Sequence, residues 1–115
     1  MTPLQVDISN GFEIASFHYE VVLDGKGLKG RQHWGESSSI EQEVTIESES
    51  STERFRDVFC HEVLEAINSA LSLDLEHNDI VRIATGYAQV LKSLGVEFVY
   101  GKRRLKGIVL EDNAE

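Results

Sequence analysis

The hydrophobic pattern of this chain changes period near Ser50. In IEQEVTIES, residues 40–48, apolar and polar residues alternate, whereas after Ser50 apolar residues recur at Phe55, Val58, Phe59, Val63, Ala66, Ile67, Ala70 and Leu71 with spacings of three and four. A period of two lays one face of a strand on a core, and a period of 3.6 does the same for one face of a helix. The switch therefore predicts an α+β fold, in which a small antiparallel sheet packs against helices. A capping box, Ser50-x-x-Glu53, marks the start of a helix over residues 52–71.

Upstream, the pattern reads as strands and turns. LQVDIS, ahead of the turn dipeptide Asn10-Gly11, predicts a brief edge strand. FEIASFHYEVVLD carries two phases, Phe12 and Ile14 and then Phe17, Tyr19, Val21 and Leu23, which a bulge or bend at Ala15-Ser16 reconciles. His18 then points away from the core. DGKGLKG, residues 24–30, reads as an exposed turn, and Trp34 is expected to anchor a small second layer, with His33 beside it structural or exposed. In the strand over residues 40–47, Ile40, Val44 and Ile46 take the buried face and Glu41, Glu43, Thr45 and Glu47 the wet one. Three or four strands follow from this.

After the first helix, SLDLEH connects to a second one over residues 77–94, with Gly95 placed as its terminating glycine. So short a connection makes the helices neighbours, and Phe59, Val63, Ile67, Ile80, Ala84 and Tyr87 are expected to share one core. VEFVY reads as a last strand and residues 102–115 as a flexible tail. The chain reads as one domain over 1–115.

Charge and composition narrow the function classes. With 20 acidic against 11 basic residues and a net charge of −9, the chain repels phosphate, and no nucleic-acid partner is expected. Lys102, Arg103, Arg104 and Lys106 read as a solvated cluster within the tail. Cys60, the single cysteine, excludes an intrachain disulfide and reads as a core residue. No apolar run reaches 18 residues and no charged-then-apolar leader opens the sequence, so a cytoplasmic protein without a membrane partner is expected.

The first helix carries the candidate chemistry. Glu62 projects between Val58 and Ala66, on the flank of the apolar stripe, and His61 and Glu65 lie one turn apart on the adjoining arc. His77 opens the second helix three residues before Ile80, facing inward. A structural alternative stays open at this point: Glu62 paired with Arg56 or His77, and Glu65 merely solvated.

FRDVFCHEVLEAIN, after a strand ending in VTIES, resembles the strand and active-site helix of small zincin-like proteins, many of them phage- or prophage-borne, whose helix bears H-E-x-x-H. LEHNDIVRIATGYAQVL is similar to their second helix, and the resemblance spans roughly residues 34–94. It implies a zincin-like fold and a metal-dependent hydrolase of peptide bonds, with a protein or peptide as partner. Position by position, His61 matches the first zinc ligand, Glu62 the general base and His77 a downstream ligand. The departure is Glu65, which stands where the family has a second histidine. Zinc accepts carboxylate oxygen, so the implied set is His61, Glu65 and His77, more anionic than three histidines and less able to acidify water. Impaired or lost hydrolysis is the corresponding expectation. Two further classes stay in view: a non-catalytic interaction or scaffold module of phage or prophage origin, and, ranked last, an acidic mimic of nucleic acid built on Glu41, Glu43, Glu47 and Glu49.

Overall fold

The structure, a computed structural model, describes residues 2–24 and 34–101. The turn expected over residues 24–30, His33 and the tail over 102–115 fall wholly or mostly outside the described residues. Among the described residues, six strands and two helices run in the order β1 (Leu4–Asp7), β2 (Phe12–Ile14), β3 (Phe17–Asp24), β4 (Gly35–Ser38), β5 (Glu43–Glu47), α1 (Thr52–Leu71), α2 (His77–Ser93) and β6 (Val96–Val99). The fold is mixed α+β, with both helices packed against small sheets. No helix among the described residues is long and apolar enough to cross a membrane.

The sheets are not purely antiparallel. β1 pairs in parallel with β6, and a second sheet has the order β2-β3-β5-β4, in which β3 and β5 run parallel while β2–β3 and β4–β5 are antiparallel. The cause lies in the connection: the chain leaves β3, enters β4 on the far side, and a hairpin then brings β5 back between them. Among the described residues β4 is consequently an edge strand.

Three local expectations change. Ala15 and Ser16 both have positive φ, 52° and 72°, so they reverse the chain as a two-residue hairpin turn instead of bulging one long strand. Phe12 is thereby placed opposite Tyr19, and their rings stack at 5.6 Å. Ile40 is 94 % exposed, because it lies in the β4–β5 turn, where Gln42 has φ 53°, and not on the strand face with Val44 and Ile46. Glu47 is fully buried, since the chain folds back over the end of β5: its Oε2 accepts the Glu49 N–H at 2.9 Å, and its carbonyl accepts the Ser50 hydroxyl at 2.8 Å. Gly11, with φ 81°, makes the β1–β2 turn, and a Cβ there would meet the Tyr19 carbonyl oxygen.

The helix cap also shifts by one residue. Ser51 is the N-cap of α1 and its hydroxyl accepts the Arg54 N–H, while Ser50 is buried and spent on Glu47. Glu53 does not close a capping box; its carboxylate takes the Lys92 ammonium at 2.7 Å and joins the start of α1 to the end of α2. Gly95, with φ 80°, follows the C-cap Leu94, as the sequence indicates.

α1 lies across β4, β5 and β6, and α2 rests on α1 and β6. The expected single core divides into three. Val21, Val44, Ile46, Phe55 and Phe59 form the main one with Ile8 and Val99; Ile67 packs instead on Ile14, Tyr19 and Ala66; and Ala84 joins Cys60 and Ala88 between the helices. Ala84, Ala88 and Leu91 carry the contact of α2 with Cys60 and Leu64, Ile80 is buried as expected, and Tyr87 stays 60 % exposed, outside the core. Burial raises the Cys60 thiol to about 11, so it is a packing residue and not a thiolate nucleophile.

Candidate metal centre

Position 61 sits in the middle of a 20-residue helix, where the backbone is fixed by its own hydrogen bonds and the side chains one turn apart are stacked. His61 Nε2 lies 3.3 Å from Glu65 Oε2. The same oxygen is 3.2 Å from His77 Nδ1, at the first residue of α2. The two imidazoles meet edge to face, with centroids 5.4 Å apart. His61, Glu65 and His77 each offer a ligand atom, and these atoms all lie within 4.8 Å of one another.

What brings His77 there is the short loop between the helices. Asn68, near the end of α1, accepts the Leu75 N–H at 2.9 Å and donates its own amide to the Leu75 carbonyl at 3.3 Å. Ser72 takes the left-handed conformation at the C-cap, φ 53°. The loop is thus held two residues before His77 by a side chain that the sequence reading passed over. Asparagine near a helix end is the signal that could have found it.

These three residues line an open cleft of about 820 Å³ between α1, the start of α2 and β4. Glu62 lines it too, next to His61 on α1 but turned toward β4, and is 7 % exposed. β4 can lie that close because residue 35 is glycine: a Cβ there would fall 2.4 Å from Val58 Cγ1 and 3.0 Å from Glu62 Cγ. Ser37, two residues along the same strand, hydrogen-bonds the Glu62 carboxylate. Neither Gly35 nor Ser37 stood out in the sequence. Trp34, expected to anchor a second layer, instead lines the cleft, 40 % exposed, with the Arg54 guanidinium 4.0 Å above its ring. His18 stands apart on β3, as expected, facing Glu20 at 3.5 Å.

The electrostatics of the cleft divide the labour. Burial lowers the pKa of His61, outweighing the opposing pull of Glu65, so its ring is neutral at pH 7 and offers a lone pair. Burial, and then the charge of Glu65, raise Glu62 from an ordinary 4.5 to about 7, against the hydrogen bond from Ser37. A carboxyl with that pKa exchanges its proton near neutrality.

A stability consequence follows for the metal-free protein. Below about 4.5 Glu62 is protonated whether the chain is folded or not; between about 4.5 and about 7 only the folded chain keeps the proton; above about 7 the folded state carries the whole cost of a buried charge. Stability from this group therefore falls as pH rises through that window. Glu62→Gln is expected to match the parent chain at pH 4 and to exceed it by about 2 kcal/mol at pH 8, allowing for partial solvation. Urea melts at the two pH values, with chelator present, read this directly.

Zinc sets a geometric requirement on such a donor set. Tetrahedral ligands with bonds near 2.1 Å lie about 3.4 Å apart. The two histidine–carboxylate separations, 3.3 and 3.2 Å, match that spacing; the three donors together span up to 4.8 Å, more than the roughly 4.2 Å that two such bonds can bridge, so an ion would draw the two rings together. Two nitrogens and one carboxylate oxygen, with the cleft open on the remaining side, fit a catalytic-type zinc site. Comparison with family models, with curated proteins and with solved structures finds no match.

Proposed function

We propose that this chain is a zincin-like, zinc-dependent hydrolase of peptide bonds, with His61, Glu65 and His77 as the metal ligands and Glu62 as the general base. The observation that carries the reading is the approach of those three donors, His61 and Glu65 half-buried and His77 exposed rather than inward-facing, in a cleft whose buried carboxyl, Glu62, has a pKa near neutrality. A zinc ion held there would supply Lewis acidity, polarising a scissile carbonyl and making water more acidic.

The residues of the chain account for the rest. Glu62 accepts a proton from water as its oxygen attacks the carbonyl carbon, and it returns that proton to the leaving amine as the carbon–nitrogen bond breaks. Ser37 holds the carboxylate in place from β4. Gly35, Glu36 and Ser37 of β4 line one wall of the cleft, and a strand along the wall suits an extended peptide better than a compact small molecule. A second reading, a non-catalytic module, is favoured by one observation: Glu65 satisfies both histidines through hydrogen bonds without any ion.

Hydrolysis of an unstructured peptide library by zinc-loaded protein separates the two. Cleavage that disappears in Glu62→Gln, with zinc still bound, is expected, since removing a general base costs on the order of 100- to 10,000-fold. Cleavage equal in parent and variant would remove Glu62 from the chemistry, and no cleavage by either would leave the non-catalytic module.

A further inference from the structure

Helix α2 carries more apolar surface than the other described residues cover. At about 100° per residue, the row turned to α1, made by Ile80, Ala84, Ala88 and Leu91, occupies one arc of the helix. Ile83, Tyr87, Val90 and Leu94, spaced by four, three and four residues, form a second row centred roughly 85° away. They are 42 %, 60 %, 54 % and 67 % exposed. Tyr87 also borders an apolar groove of about 230 Å³ between the helices, floored by Phe59, Val63 and Phe98. Stripe and groove make one continuous surface.

Gly86 adds an independent observation. It sits in the interior of α2, where glycine is among the poorest helix formers, and a Cβ built on it would meet nothing within 4 Å. Nothing among the described residues requires a glycine there. It flanks the exposed stripe, and a bare backbone at that position lets another helix approach closely.

We infer that a second copy of this chain covers this face, the two α2 helices packing antiparallel about a two-fold axis with Gly86 of each near the contact. The stripe presents on the order of 450 Å² of apolar surface, which at an interface about 60 % apolar corresponds to roughly 750 Å² per partner, the size of a stable dimer contact. Local charge permits a copy at this face. In a chain of net charge −9, residues 80–94 contain no carboxylate, so two such faces meet without acidic repulsion, while Lys92 is already engaged with Glu53. The stripe displays no charge pattern that would select a different protein. Thr85, which lines the cleft, projects from the opposite side of α2, so the contact leaves the candidate metal centre open.

Sedimentation equilibrium of the full chain, from about 1 to about 200 μM, tests this. Dimer is expected in the parent chain, and monomer in both Leu94→Glu and Gly86→Gln. Gln is the better helix former, so helical circular dichroism and the thermal melt of Gly86→Gln should be undiminished. A parent chain that is monomeric throughout, or a dimer that survives both substitutions, would overturn the inference. So would a parent monomer that dimerises only after removal of residues 102–115, since that result would make the chain's own C-terminal segment the occupant.

Discussion

His61→Ala and His77→Ala each abolish stoichiometric zinc binding, while Glu62→Gln leaves it intact: this is the expected outcome of calorimetric titration of the three variants. The two histidines supply donor atoms to one cluster, whereas Glu62 is turned toward Ser37. Loss of a direct ligand should weaken binding by more than the roughly 10- to 100-fold that changes around a ligand produce. Acidification should weaken binding in the parent chain as well, because zinc must displace protons from both imidazoles. His61 contributes less to that fall than an ordinary histidine, since burial already keeps its ring neutral. Glu65→His separates a ligand from a bystander. Replacing the carboxylate that lies 3.3 and 3.2 Å from the two rings restores a three-histidine set on the same helical turn and should tighten binding. Unchanged affinity in a folded Glu65→His chain would place Glu65 outside the ligand set.

Phe59→Ala is expected to cost about 3 to 5 kcal/mol, a large part of the roughly 5 to 15 kcal/mol by which domains of this kind are stable. The ring is the joint between the sheets and the helices. It meets Phe12 of β2 edge-on at 5.9 Å and Phe98 of β6 at 4.8 Å, and it packs in the main core from the middle of α1. Truncation removes both aromatic contacts and leaves space that the rigid backbones of α1 and β6 cannot close. His61 and Glu62 follow two and three residues later on the same helix, so the substitution should also loosen the cleft. The midpoint of urea denaturation reads the cost, and a loss below about 1 kcal/mol would show that α1 is not anchored by this face.

What the sequence made legible, and what it hid, follows from the range of the interactions. Periodicity located α1 and α2 nearly to the residue, because a helix carries its signal in spacings of three and four within one segment. His61, Glu62 and Glu65 share one turn of that helix, so their proximity could be read directly, and His77 could be placed because the loop before it is short. Strand order was another matter. That β5 inserts between β3 and β4 is decided by pairing between distant segments, and no local pattern records it. Hence Gly35 and Ser37, which set the far wall of the cleft, looked like ordinary residues of a polar stretch. Glu47 was misjudged for a related reason: alternation gave it the wet face, but the turn into α1 closes over the strand end. The core was expected to be single because both helices have apolar stripes, yet Ala84, Ala88 and Leu91 carry the contact of α2 with Cys60 and Leu64 and leave Tyr87 outside.

Zinc content of the untagged, full-length chain, measured by elemental analysis after equilibration with zinc and removal of excess, tests the metal centre most directly. One zinc per chain, released by chelator and absent from His61→Ala, is the result expected from the approach of His61, Glu65 and His77. A folded chain that retains no zinc at neutral pH would contradict it, and would leave the three side chains as a hydrogen-bonded joint between α1 and α2.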